Sequence, residues 1–233
     1  MGKLHNKLSC AVGHREMRLT LCCLLFMSGL PVVAQISPYV GAIGGVATLS
    51  ADAGSRGSPQ GLSLSSYDPR NGGALDIFAG AHLHNYFSMQ ANYIWNRNGL
   101  RLNSSSSSGS FYQEDRGILQ QAAVFDFLIY FRQRRSRIRP YLATGTGVVH
   151  LSSRQDRVIA SGSGAVVPPA RLSSTGPLLR VHVGIDLRLV RKLDFRYSFS
   201  ETIEHNEISQ QLSPPGTHKL MNFQNLFGFV VRP

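Results

Sequence analysis

The sequence predicts an all-β fold, an eight-stranded antiparallel up-and-down transmembrane β-barrel with short periplasmic turns and long outer loops. Three observations carry that prediction. First, the stretch LLRVHVGIDLRL (Leu178 to Leu189) alternates without a slip: Leu179, Val181, Val183, Ile185, Leu187 and Leu189 are aliphatic, and Arg180, His182, Gly184, Asp186 and Arg188 lie between them. Second, such period-two segments recur along the chain with no helical period among them. Third, the gaps between them are alternately short and long, as in barrels that cross a membrane with their strands.

The first 34 residues stand apart. Lys3, Lys7, Arg15 and Arg18 precede the apolar run LTLCCLLFMSGL (Leu19 to Leu30), and VVA (Val32 to Ala34) places small residues at a cleavage site. This pattern predicts a signal peptide over 1–34, with the outer-membrane β-barrel domain over 35–233. Met17 is an alternative start. The whole chain carries +11 and the leader +3, so the remainder keeps about +8. All three cysteines, Cys10, Cys22 and Cys23, fall in the leader. The mature chain is therefore expected to hold no disulfide and no thiolate metal site.

Eight strands follow in order: Tyr39 to Ser50, Gly73 to Leu83, Phe87 to Arg97, Gly117 to Phe131, Pro140 to Ser152, Leu178 to Leu189, Leu193 to Ile203, and Lys219 to Val231. HNY (His84 to Tyr86), RQRRSRIR (Arg132 to Arg139) and VRK (Val190 to Lys192) are the shorter connections. Ala51 to Gly72, Asn98 to Arg116, Ser153 to Gly176 and Glu204 to His218 are the long ones, and NSSSSSGS (Asn103 to Ser110) has flexible-linker composition. An even strand number places both ends of the barrel on the periplasmic side.

Register can be read at two hairpins. A three-residue VRK connection sets Leu189 opposite Leu193, Leu187 opposite Phe195 and Ile185 opposite Tyr197. On the other face Arg188 meets Asp194 and Asp186 meets Arg196. Opposite charges across a strand pair stabilise by roughly 0.2–1 kcal/mol each. A two-residue connection sets aliphatic positions against charged ones. At the other hairpin Leu83 opposite Phe87 aligns Leu75, Ile77, Ala79 and Ala81 with Trp95, Tyr93, Ala91 and Met89. In strand four, Asp126, Gln120 and Tyr130 share a face. The apolar face is expected to meet lipid, with Tyr93, Trp95, Phe131, Tyr141, Phe195 and Tyr197 as interfacial aromatics. The alternative is a secreted soluble barrel with that face inward. The polar face, rich in Gly, Ser, Asn and Gln but poor in Lys and Glu, argues against it.

The leader, the first strand PYVGAIGGVA, the fifth RPYLATGTGV, the seventh LDFRYSFSETI and the closing NFQNLFGFVVRP together resemble the small eight-stranded outer-membrane barrels of the OmpA/OmpW/OmpX-like superfamily. The resemblance spans the whole mature chain and contains no catalytic motif. It implies a monomeric barrel in the outer membrane of a Gram-negative-type bacterium, inserted by the outer-membrane assembly machinery. Family members usually end on an aromatic residue. Here the last residue is Pro233, with Phe227 and Phe229 nearby. No segment resembles the peptidoglycan-binding domain of the longer OmpA proteins.

Candidate chemistry follows from the polar face. Asp76, Asp126, Arg180, Asp186, Arg188, Asp194 and Arg196 are expected to form an ion-pair network filling the lumen, because eight strands leave room only for side chains. A narrow ion or solute channel is the competing reading. Arg97, Arg101, Arg116, Arg154 and Arg157 lie near the outer rim, where guanidinium groups suit lipopolysaccharide phosphates. Outer-membrane lipid and lipopolysaccharide are thus the expected partners. Ser200, Glu201 and His205 sit close in sequence, but a serine nucleophile needs its histidine within hydrogen-bond reach. A lipid-modifying hydrolase is a further alternative, and no enzyme activity is expected. His82, His84, His150 and His182 lack metal-ligand spacing, so neither a metal nor any other cofactor is expected. Nucleic acid is not expected either, since the basic residues have no aromatic platform beside them.

Overall fold

The computed structural model describes residues 36–51, 63–106, 109–163, 167–204, 208 and 220–233. Eight antiparallel strands close into a barrel, each paired with its neighbour in sequence and β1 with β8. They are β1 (Ser37–Ala51), β2 (Ser63–His82), β3 (Phe87–Ser106), β4 (Phe111–Tyr130), β5 (Ile138–Ser161), β6 (Arg171–Val190), β7 (Leu193–Glu204) and β8 (Leu220–Val231). No described helix is long and apolar enough to cross a membrane.

Alternation of side chains fixes which face is which. On β6, Leu179, Val181 and Val183 are exposed while Arg180, His182 and Asp186 are buried. The charged face therefore points into the barrel and the aliphatic face points out. The same holds on β2 and β3, where Ile77 and Tyr93 are exposed and Asp76 and Asn92 are buried. Exposed Val40, Phe125, Leu142, Phe199 and Phe229 complete an apolar outer belt.

Both hairpin registers have the expected pairing: Ala81 faces Met89 and Ile77 faces Tyr93, and Asp186 faces Arg196 and Ile185 faces Tyr197. The tip of the β6–β7 hairpin differs. Val190, not Leu189, pairs with Leu193, and the register shifts between Arg188 and Val190. A bulge there absorbs one residue, so the turn is two residues long and the faces still match.

The outer gaps differ more. β3 and β4 pair out to Ser105 and Phe111, and β5 runs to Ser161 before β6 begins at Arg171. Two of the expected long loops are thus mostly sheet, and Asn103 to Ser106 of the serine run are strand. Cross-strand pairs hold this extension. Arg101 Nε donates to Asp115 Oδ1 at 2.8 Å, and Gln113 Nε2 donates to Asn103 Oδ1 at 2.6 Å. The first long gap shortens too, since β2 begins at Ser63. Most of the fourth lies outside the described residues.

Tyr141 departs from the expected aromatic girdle. It is 2% exposed and points into the lumen, while Leu142 faces outward. Its inward neighbours Gly145 and Gly147 are small, so the inner face of β5 did not read as a core face.

Candidate functional site: a filled lumen

The barrel interior is organised in layers. The central layer turns on Arg180. Its Nη2 donates to Asp76 Oδ2 at 2.8 Å and its Nη1 to Asp126 Oδ2 at 3.1 Å. Asn92 Nδ2 donates to the same Asp126 oxygen at 2.9 Å, and His182 Nε2 lies 3.1 Å from it. Gly145 makes room for this carboxylate, since a Cβ there would sit 1.9 Å from Asp126 Oδ1.

Toward the short turns, Arg196 takes over. Its Nε and Nη2 grip Asp186 at 2.6 and 2.8 Å, and its Nη1 donates to Gln90 Oε1 at 2.8 Å. This two-point geometry is the strong form of a guanidinium–carboxylate pair. Tyr130 OH donates to Asp186 Oδ2 at 3.0 Å. Aromatic rings fill the remaining space: the Arg196 guanidinium lies 4.9 Å from the Phe78 ring centre and 5.0 Å from that of Tyr141, and Arg139 stacks 3.7 Å over Tyr130. At the mouth, Arg232 Nη2 donates to Asp194 Oδ1 at 2.5 Å.

Toward the long end, the lumen is closed differently. Leu49, Leu100, Leu102, Ile118, Leu151, Leu172 and Ile208 pack into one buried apolar cluster. Beside it, Arg116 Nη1 donates to Glu114 Oε1 at 2.6 Å, its Nε to Ser153 Oγ at 3.0 Å and its Nη2 to the Pro169 carbonyl at 2.7 Å. Tyr112 OH donates to Glu114 Oε2 at 2.6 Å.

Of the residues expected in the interior network, Asp76, Asp126, Arg180, Asp186 and Arg196 sit on the inner face and touch one another as described. Asp194 is buried, but Arg232 is its nearer partner; Arg188 stands 4.0 Å away. Arg188 leaves the interior for the turn, where it donates to the carbonyls of Arg134 and Arg135. The bulge beside it turns the strand end outward. Arg139, Arg232, Glu114 and the tyrosines were absent from the sequence-derived set. Extending the two-residue period from Asp126 back along β4 reaches Arg116 and Glu114, so that signal was present.

Of the rim arginines, Arg97, Arg154 and Arg157 are exposed on the outer face. Arg154 lies directly opposite Arg171, and Arg157 opposite Asp115. Arg101 is bound to Asp115, whose carboxyl it holds below the usual range through their hydrogen bond. Arg116 contradicts the expectation: it is 1% exposed and faces inward, so it cannot meet a phosphate outside the barrel.

The histidines are dispersed. His82 lies 2.5 Å from Ser88 Oγ, and His150 is on the outer face 2.8 Å from Thr175 Oγ1. Among the described residues no three His, Cys, Asp or Glu side chains converge on a point. Ser200 donates to Gln224 Oε1 at 2.9 Å, and His205 lies outside the described residues. A different serine stands in triad order: Ser198 Oγ is 3.3 Å from His182 Nδ1, and His182 Nε2 faces Asp126. Ser198 is 1% exposed and faces the lumen.

This closed ring of eight antiparallel strands has the fold of the small eight-stranded outer-membrane barrels. No protein-family model matches the sequence, and no curated protein matches it. Among solved structures it is similar to Neisserial surface protein A (NspA), at 17% identity and a TM-score of 0.51, covering 85% of this chain and 99% of that one. OprG of Pseudomonas aeruginosa is 13% identical, with a TM-score of 0.47 over 84% and 96% of the two chains. Ail of Yersinia pestis, solved with the heparin analogue sucrose octasulfate, is 11% identical, with a TM-score of 0.45 over 83% and 98%.

Proposed function

We propose that the chain is an integral outer-membrane protein whose barrel is a sealed scaffold, with its activity on the outside surface. One observation carries this reading: the lumen is blocked by a leucine-rich cluster above an Arg180 layer in which every guanidinium nitrogen bond goes to a carboxylate. Eight strands leave an interior only just wide enough for side chains, and these two layers are side chains packed against one another. The protein works as a monomer without a cofactor, and the enclosed Ser198 performs no hydrolysis. Residues 1–34 are its cleaved export signal, and the outer-membrane assembly machinery inserts it.

The surface partner is lipopolysaccharide. Arg97, Arg154, Arg157 and Arg171 are exposed on the outer face, further along their strands than the apolar belt, and guanidinium groups there suit lipid phosphates. Arg154 and Arg171 face each other across adjacent strands, a repulsive arrangement that a bound anion relieves.

Two measurements test the reading together. Unboiled and boiled envelope samples are compared on an SDS gel, and the purified barrel is added to a planar bilayer. The expected result is a mobility shift on boiling and a silent bilayer. Stepwise conductance overturns the sealed scaffold in favour of a channel, and a soluble protein without a shift overturns the membrane assignment.

A further inference from the structure

The short-turn end of the barrel is a basic surface assembled from separate chain segments. Arg132, Arg135 and Arg137 of the β4–β5 turn and Arg191 and Lys192 of the β6–β7 turn are exposed. None of these five side chains has a hydrogen-bond or ion-pair partner among the described residues. The turns are bonded to one another. Arg188 N donates to the Arg137 carbonyl at 2.8 Å, and its guanidinium donates to the carbonyls of Arg134 and Arg135. Arg232 N donates to the Lys192 carbonyl at 2.9 Å, and Arg134 donates to Ser37 Oγ at the start of β1. These bonds hold like charges together in one patch.

Nothing at this end balances the patch. Asp186 and Asp194 are both buried and already paired, with Arg196 and Arg232. Among the described residues no carboxylate side chain is exposed beside the turns. The patch also borders the apolar belt directly. Phe131 precedes Arg132, Ile138 follows Arg137 and Val190 precedes Arg191, and all three apolar side chains are exposed. One strand step is only about 3.3 Å. Arg and Lys stems lie along apolar surface while their charged heads reach the polar boundary. Apolar side chains seated in hydrocarbon therefore set the neighbouring cations at the level of the headgroups. A soluble acidic partner would use the cations alone and leave Phe131, Ile138 and Val190 uncovered.

We propose that this surface binds the headgroups of anionic phospholipids in the leaflet at the short-turn end. Clusters of about 4–8 Lys and Arg beside a membrane span attract such lipids, and phosphate suits the guanidinium fork. The inference rests on the barrel standing in a membrane, and it concerns the leaflet opposite to the lipopolysaccharide.

The test uses the full mature chain reconstituted at low salt in phosphatidylcholine vesicles. A trace of spin-labelled phosphatidylglycerol or spin-labelled phosphatidylcholine is added, and the fraction of each label immobilised at the protein is read by electron paramagnetic resonance. The expected result is a preference for phosphatidylglycerol of about fivefold, the effect of one basic residue near an anionic surface. Replacing the five exposed cations together, Arg132→Gln, Arg135→Gln, Arg137→Gln, Arg191→Gln and Lys192→Gln, is expected to remove most of it. The control Arg97→Gln, Arg154→Gln, Arg157→Gln and Arg171→Gln at the other end is expected to keep it. Equal immobilisation of the two labels by the wild-type protein overturns the proposal, whether or not the variant folds. Full preference in the five-residue variant overturns it too, and moves the lipid to the other end. Equal immobilisation with capture of soluble polyglutamate overturns it in favour of an acidic polymer. A mobility shift on boiling is checked on the same samples: its loss overturns the membrane reading, whereas equal immobilisation with the shift intact overturns this proposal alone.

Discussion

The half of the barrel within the apolar belt and the wall above it share one alternation and invert its meaning. In the lower part of β3, Tyr93 and Trp95 face out while Asn92 and Asn96 face in; further along the same strand, Arg97 and Arg101 face out while Leu100 and Leu102 are buried. β4 changes in the same way, from Phe125 outside and Asp126 inside to Asp115 outside and Ile118 inside. The lower half has its polar groups in the lumen and its apolar groups outside. The upper wall begins as an ordinary water-soluble sheet. Strand length follows this division. β2, β3, β4 and β6 run 20 residues and β5 runs 24, whereas β7 and β8 run 12. About 10 tilted residues suffice to cross a bilayer, and the five long strands are about twice that length. The lesson is that period two specifies a strand, and the surrounding solvent decides which face is the core.

The largest way to break the lower half is at its centre. Arg180→Ala leaves Asp76 and Asp126 buried without their counter-charge and is expected to cost about 3–5 kcal/mol in urea unfolding from detergent. The triple replacement Arg180→Met, Asp76→Leu and Asp126→Leu is expected to recover most of it. The boundary itself is sharpened by moving one arginine along β6. Val183→Arg places a charge in the apolar belt and is expected to cost about 2–4 kcal/mol, while Ser173→Arg on the same face of the upper wall leaves unfolding unchanged. Gly145→Ala pushes a methyl into the Asp126 carboxylate and is expected to cost about 1–3 kcal/mol by overpacking. The smallest effect belongs to the upper wall. Because Arg101 lowers the folded pKa of Asp115, their pairing contributes above the unfolded value of about 3.9 and is lost as pH falls through the lowered one. Amide exchange in the β3–β4 hairpin, corrected for intrinsic rates, is expected to lose protection at acid pH. Arg101→Gln removes that dependence.

The strands and the two short-turn hairpins were legible because aliphatic and charged residues alternate there without interruption. The upper wall was not, because its composition misleads: the serine run from Ser104 to Ser108 reads as linker, yet Leu100 and Leu102 just before it keep the period. Arg116 was misplaced for the same reason, since the apolar alternation of β4 fades at Gly117 and Gln113 to Arg116 just before it are all polar. Tyr141 was misplaced because its strand neighbours Ala143, Thr144, Gly145 and Thr146 give no contrast between faces. The ion-pair partners Arg139 and Arg232 sit at strand ends, where sequence gives a position but no direction.

The layered lumen also has a polarity along its axis. From the centre to the tall end, Glu204, Asp76, Asp126 and Glu114 outnumber Arg180 and Arg116. At the short-turn end, Arg139, Arg196 and Arg232 outnumber Asp186 and Asp194. The described lumen residues therefore carry a fixed electric dipole along the barrel axis. Were its leucines cut back to open a path, such a lumen would pass current unequally in its two directions.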